Sequence, residues 1–308
     1  MTDSAFLFPG QGSQKVGMGQ DLFEESDLGR RRYEQANTVL NMDIASISFS
    51  GPEDVLKQTS ITQPAIFVHS VILGELLLEK GESPSYGAGH SLGEYSALAL
   101  AGAITFKDGL HLVRSRGRLM EKAGRSQPGT MAAIIGLDSA SVAQICRKAS
   151  RKSTVKPANF NSQNQIVISG EKEGVRRAMD LARQAGAVRV TELKVSAAFH
   201  SPLMTPAKAA LGETLKNTEI REPAFPIVMN VTAKATTRPA EIRENLIQQL
   251  DHPVLWLDTI VTLRELNVSE FVEIGPGRVL QGLARRIDPA LTTRGVQSLR
   301  DLDQLEHA

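Results

Sequence analysis

Gly89-His90-Ser91-Leu92-Gly93 frames one serine between glycines two residues to either side. A serine aimed out of a sharp strand-to-helix turn holds a strained backbone, and flanking glycines remove the Cβ atoms that would block the turn. Glu94 to Ala103 is rich in alanine and leucine, so a helix follows. Ser85-Tyr86-Gly87-Ala88 can end a buried strand before it. A serine in that place is a nucleophile once a base reaches it. The frame alone also fits a tight turn in which Ser91 merely caps the helix.

The base must come from His69, His90, His111, His200, His252 or His307. His90 adjoins Ser91, and neighbouring side chains on a sharp turn point apart. His69 and His111 lie inside helical patterns, and His307 is in the tail. His200 is the strongest candidate: it ends the small-residue loop Ser196-Ala197-Ala198-Phe199, just ahead of Ser201-Pro202. Hydrolases often place a carboxylate behind such a histidine. Asp251 and His252 precede Pro253, close to Gln248 and Gln249, and spacing does not choose among them.

Phe8-Pro9-Gly10-Gln11-Gly12-Ser13-Gln14 follows a short apolar run. A dinucleotide fingerprint needs glycine where Lys15 sits, and a P-loop needs Lys-Ser or Lys-Thr where Met18-Gly19 sit, so both phosphate readings fail. The loop can instead lend a main-chain N–H to a developing oxyanion. No His-Glu-x-x-His and no cysteine pair suggests a metal. The single cysteine, Cys146, sits in a helix-like pattern and reads as a core thiol.

The elements that must position these groups alternate. Ala5–Phe8 reads as a buried strand; Asp21–Leu40, Gln63–Glu79 (beginning near Pro64) and Lys107–Ala123 read as helices. Arg114, Arg116 and Arg118 cannot share one face of the last, and Arg114 and Arg118 read as solvated. After Ser126-Gln127-Pro128-Gly129 the pattern becomes βαββαβ: strand Met131–Leu137, helix Ser139–Ser150, strands Val155–Asn161 and Gln165–Ser169, helix Glu171–Ala185 and strand Ala187–Val195. That order predicts a ferredoxin-like antiparallel unit over 128–196, inserted in a large α/β domain of 1–127 and 197–308 with a mainly parallel sheet. Strands Phe225–Asn230 and Phe271–Ile274 and helix Asp258–Glu265 belong to the large domain.

The 308 residues are 41% hydrophobic and carry a net charge of +1, which asks for neither nucleic acid nor an anionic membrane. Stretches such as Ala97–Ile104 fall short of a membrane span, Met1-Thr2-Asp3-Ser4 lacks the basic start of a signal peptide, and one cysteine suits a reducing compartment. The expected location is the cytoplasm, and the expected state a monomer.

Taken in order, Phe8-Pro9-Gly10-Gln11-Gly12-Ser13-Gln14, Gly89-His90-Ser91-Leu92-Gly93-Glu94, Arg116-Gly117, Phe199-His200-Ser201 and Glu273-Ile274-Gly275-Pro276-Gly277 resemble the motifs of malonyl-CoA:acyl carrier protein transacylases, from about Ala5 to Ile287. The resemblance implies an α/β-hydrolase-like large domain with the inserted small one. It implies Ser91 as the acylated nucleophile and His200 as its base, oriented by a carbonyl of Gln249. It also implies an oxyanion hole from the N–H groups of Gln11 and Leu92. Arg116 would grip the free carboxylate of the malonyl group, and Phe199 would narrow the room for an α-methyl group. No bound cofactor is implied: malonyl-CoA is the donor and the phosphopantetheine thiol of an acyl carrier protein the acceptor. Arg278, Arg285, Arg286, Lys122 and Arg125 are candidates for docking that acidic partner. On this reading a neutral carbonyl from Gln249 restrains hydrolysis, and Gln249→Glu should raise it. A trans-acting acyltransferase of a polyketide synthase would share every residue. A serine thioesterase would share the elbow but leave Arg116 and Gly10-Gln11-Gly12 unexplained.

Overall fold

A computed structural model describes residues 3–151 and 153–305; Met1, Thr2 and His307 lie outside them. In chain order the strands are β1 Ser4–Phe8, β2 Tyr86–Gly89, β3 Gly129–Ile135, β4 Val155–Ser162, β5 Gln165–Glu171, β6 Arg189–Glu192, β7 Ile227–Val228, β8 Ala235–Thr236, β9 Glu270–Ile274 and β10 Thr292–Val296. They form two sheets. The first has the order β10-β9-β1-β2-β7-β8 and is parallel except where β7 meets β8. The second has the order β4-β5-β3-β6 and is antiparallel throughout. Helices Ser139–Ala149 and Lys172–Gln184 pack Val142, Ile145, Val175 and Ala178 against Ile134, Ile166 and Ile168 of this second sheet. This is the mixed α/β architecture expected, with a ferredoxin-like unit beside a mainly parallel sheet.

All five residues of β1 are buried, as befits a central parallel strand covered on both faces. Its register sets Phe8 beside Gly89, so the loop leaving β1 and the turn leaving β2 emerge together. Ligand sites of parallel sheets gather at such carboxyl ends.

Several boundaries differ from the expectations. Asp21–Leu40 is two helices, Gln20–Glu25 and Asp27–Leu40, because Ser26 is extended and its side chain accepts from Gly29 N–H at 3.1 Å, capping the second. The helix expected from Pro64 begins at Thr59 and runs to Glu79 with Pro64 inside it. Proline offers no N–H to the carbonyl four residues back. That carbonyl, Ser60 O, accepts from Arg114 Nη1 at 2.6 Å instead. Arg114 is therefore half-buried rather than solvated, whereas Arg118 is exposed. The same helix, at mean hydropathy 1.6 over its apolar window, is long and apolar enough to cross a membrane, contrary to the expectation that no stretch is. It is a core helix: 83% of that window is buried. The strand Ala187–Val195 contracts to β6, and Phe225–Asn230 contracts to β7, which turns back into β8. The edge strand β10 was not expected; its Arg294 pairs with Glu270 and Glu82 at 2.6 and 2.9 Å. Cys146 is buried, and burial pushes its thiol up to about 12.

Candidate active site

Ser91 leaves β2 with φ +53°, a left-handed conformation rare for a side chain with a Cβ, and the helix Gly93–Leu100 follows. The glycine frame is required by close approach. A Cβ on Gly89 would lie 1.9 Å from the carbonyl carbon of Gly93, and one on Gly93 would lie 1.9 Å from Phe8 O. The elbow is thus pressed against itself and against the end of β1.

His200 also holds a left-handed backbone, at φ +55°, and its N–H donates to Leu250 O at 3.1 Å. This turns the imidazole inward. Its Nδ1 lies 2.8 Å from the main-chain carbonyl of Gln249, and its Nε2 lies 2.8 Å from Ser91 Oγ. A carbonyl only accepts, so Nδ1 carries the proton and Nε2 is the free acceptor facing the serine hydroxyl. Burial, followed by the positive charge of Arg116, holds the imidazole down to about 3, so it is neutral near pH 7.

Arg116 comes from the helix Phe106–Ser126 and is 1% exposed. Its Nη2 donates to Ser91 Oγ at 2.9 Å and to Gln249 Oε1 at 2.8 Å, and Nη1 donates to Gln63 Oε1 at 2.9 Å. Its guanidinium lies 5.5 Å from the Tyr95 ring centroid, and its Nε has no hydrogen-bond partner. Neutral acceptors hold this buried charge on the serine side, a state suited to exchange for a carboxylate.

The expectation for Gln249 divides. The carbonyl orienting His200 is the main-chain one. The side chain faces the other way: Nε2 donates to Ser91 O at 2.9 Å and to Glu94 Oε2 at 2.7 Å. The idea that Gln249→Glu would replace the carbonyl behind His200 is corrected by this geometry, since every residue at 249 keeps a main-chain carbonyl.

Gln11, Ser91, Phe199 and His200 line one cavity of about 250 Å³. Met131 of β3 and Asn161 of β4 line its other side, so it opens between the two sheets. The Gln11 side chain donates to Thr59 Oγ1 at 3.3 Å. Leu92 follows Ser91 at the start of its helix, with its side chain buried. Arg278, Arg285, Arg286, Lys122 and Arg125 are all exposed. Arg286 donates to Gln165, a cavity-lining residue, at 2.6 Å.

The sequence reading did not assign roles to Glu94, Asn230, Gln63, Tyr95 or Asn161. Glu94 is fully buried and accepts from Asn230 N–H at 2.6 Å as well as from Gln249. Burial pushes its carboxyl up to about 8 against the pull of those donors and of Arg116. Asn161 Oδ1 lies 2.9 Å from His90 Nε2, so that ring nitrogen has a partner other than Ser91. The one signal available was Glu94's place three residues after Ser91, one helical turn on.

The acyl transferase domain family matches residues 5–291. The malonyl CoA-acyl carrier protein transacylase of Bacillus subtilis is 42% identical over 297 residues, 96% of this chain and 94% of its own. That of Escherichia coli is 42% identical over 293 residues, 95% of each chain. The acyl carrier protein S-malonyltransferase structure from Vibrio cholerae matches with a TM-score of 0.96 at 41% identity, over 99% of this chain and 100% of that one. A malonyl-transacylase solved in complex with its type II polyketide synthase acyl-carrier protein matches with a TM-score of 0.96 at 42% identity, over 100% of both chains. By a family match over most of its length and relatives aligned almost end to end, this chain belongs to the malonyl-CoA–acyl carrier protein transacylases.

Proposed function

We propose that the protein moves a malonyl group from malonyl-CoA to the phosphopantetheine thiol of an acyl carrier protein through an ester on Ser91. One observation carries this reading: Ser91 Oγ is shared between a neutral histidine at 2.8 Å and a buried arginine at 2.9 Å. As Oγ attacks the thioester carbonyl, its proton passes to His200 Nε2. The N–H groups of Gln11 and Leu92 receive the oxyanion. The C–S bond then breaks, and the departing CoA thiolate takes the proton from His200. In the second half-reaction the carrier's thiol gives its proton to His200 and attacks the ester, and Ser91 Oγ leaves and is reprotonated.

Arg116 would exchange its neutral acceptors for the malonyl carboxylate, pairing both prongs of the guanidinium. That carboxylate would also offset the positive field that depresses His200, so the correct substrate strengthens its own base. A plain acetyl group would do neither. Phe199 beside His200 narrows the cavity against an α-methyl group, worth about 10–200-fold at most.

The test is intact-mass measurement after exposure to malonyl-CoA and, separately, acetyl-CoA. Wild type should gain one malonyl adduct, absent in Ser91→Ala. Arg116→Ala should lose malonyl preference by on the order of 10–100-fold, the worth of hydrogen bonds to a charge. A malonyl adduct on any other residue sinks the assignment. Continuous CoA release without a carrier protein would favour the thioesterase reading. The complex of the matching transacylase with a polyketide carrier keeps a second acceptor in view. Comparing transfer to fatty-acid and polyketide carriers separates the two. A monomer without a resident cofactor belongs to the same proposal, and native mass measurement tests it.

A further inference from the structure

We propose that Asn230 is a positioning residue: its side-chain amide clamps the main chain on both sides of His90 and so fixes the direction of Ser91. Nδ2 donates to Gly89 O at 2.6 Å, and Oδ1 accepts from Ser91 N–H at 2.7 Å. Asn230 is fully buried. It is anchored in turn through its own main chain: its N–H donates to Glu94 Oε1 at 2.6 Å, and its carbonyl accepts from Leu255 N–H at 2.9 Å.

The pattern has a structural logic. β7 pairs in parallel with β2 at Gly87↔Ile227 and Ala88↔Val228, and then both strands end. A parallel neighbour bonds a carbonyl on one side of a residue and an N–H on the other. The Asn230 amide supplies that same pair of bonds around His90, so it continues the ladder where the backbone turns away. The left-handed conformation of Ser91 is costly and persists only if its surroundings over-determine it. Glu94, one helical turn after Ser91, holds the clamp itself. A second consequence concerns the oxyanion. The N–H of Ser91 is committed to Asn230, so the first elbow N–H left for the developing charge is that of Leu92.

This inference rests on Ser91 being the acylated group, and the test separates the two. The single-turnover rate of Ser91 malonylation is measured by rapid quench and intact mass, with malonyl-CoA affinity taken from its concentration dependence. Asn230→Asp keeps the size and an acceptor for Ser91 N–H, but while ionised it has no donor for Gly89 O. Protonated, it regains one. The ionisable groups around it are Glu94 through the main-chain N–H, His90 between the clamped atoms, and His200 and Arg116 beyond Ser91. Near pH 8 the Asp variant should acylate slower by on the order of 100-fold, the effect of a small misplacement, with malonyl-CoA affinity unchanged. Its rate relative to wild type should recover towards about pH 5.5 as that carboxyl takes up a proton. Asn230→Ala should show the same deficit at every pH; should it fail to fold, the Asp variant decides alone. Wild-type rates in the folded Asp variant, or a deficit that pH leaves unchanged, would overturn the proposal. Absence of a Ser91 adduct in wild type would instead remove the transferase reading beneath it.

Discussion

Ser91 Oγ accepts from Arg116 and donates to His200, so one hydroxyl sits between a fixed positive charge and a free lone pair. Two expectations follow at this scale. With the free-enzyme imidazole held down to about 3, kcat/KM for malonyl-CoA should show no inflection near 6.5, the ordinary histidine value. A pH–rate profile with a limb there would contradict the assignment of His200. The same shift affects stability. A depressed histidine leaves the unfolded chain binding more protons between about 3 and 6.5, so stability falls as pH drops through that window, and His200→Gln should flatten the fall. Gln249→Glu leaves the carbonyl behind His200 intact but sets a second carboxylate where Nε2 now donates to Glu94 at 2.7 Å. The variant should melt at lower temperature and hold malonyl-CoA more weakly, because Arg116 gains a charged partner of its own. Its ratio of hydrolysis to transfer should stay the same; a raised ratio would reinstate the side chain as the brake on water. Ser91 and His200 were legible in the sequence because small residues surround both left-handed turns. Gln249 was half legible, since a main-chain oxygen has no residue type to mark it. Asn230 and Glu94 escaped because the bond joining them spans 136 positions between two ordinary polar residues.

Elements explain what the pattern could and could not show. β1 and the two helices of the second sheet announced themselves by uniform or periodic apolar residues. The start of the helix at Thr59 was hidden because Pro64 reads as a first-turn residue. Only Arg114, 54 residues from Ser60, supplies the bond that lets the helix begin earlier. Short β7 and edge strand β10 owe their form to neighbours rather than to their own composition. Two glycines separate close approach from mere freedom. Gly93→Ala would drive a Cβ against Phe8 O and should cost about 1–3 kcal/mol, with acylation lost alongside. Gly212 lies within the helix Thr205–Lys216, and a Cβ there meets nothing nearer than 3.9 Å. Gly212→Ala should raise stability by about 0.4–1 kcal/mol. Thermal melts of the two variants check both signs.

At the scale of the molecule, the cavity draws its walls from the loops that leave β1 and β2 and from strands of the second sheet, so the site exists only once distant parts of the chain have met. β1 is flanked by β2 on one side and by β9, residues 270–274, on the other. A chain ended after Ser269 should yield little soluble protein and form no malonyl adduct; an active fragment of that length would show that β9 is dispensable. The placement of β1 also orders events during synthesis. The Gly10–Gln11 loop leaves the ribosome well ahead of β9, and its strand stays open on one edge until residues 270–274 follow. A chain whose synthesis halts before β9 should therefore spend no malonyl-CoA, and ribosome-stalled chains exposed to that thioester would check it.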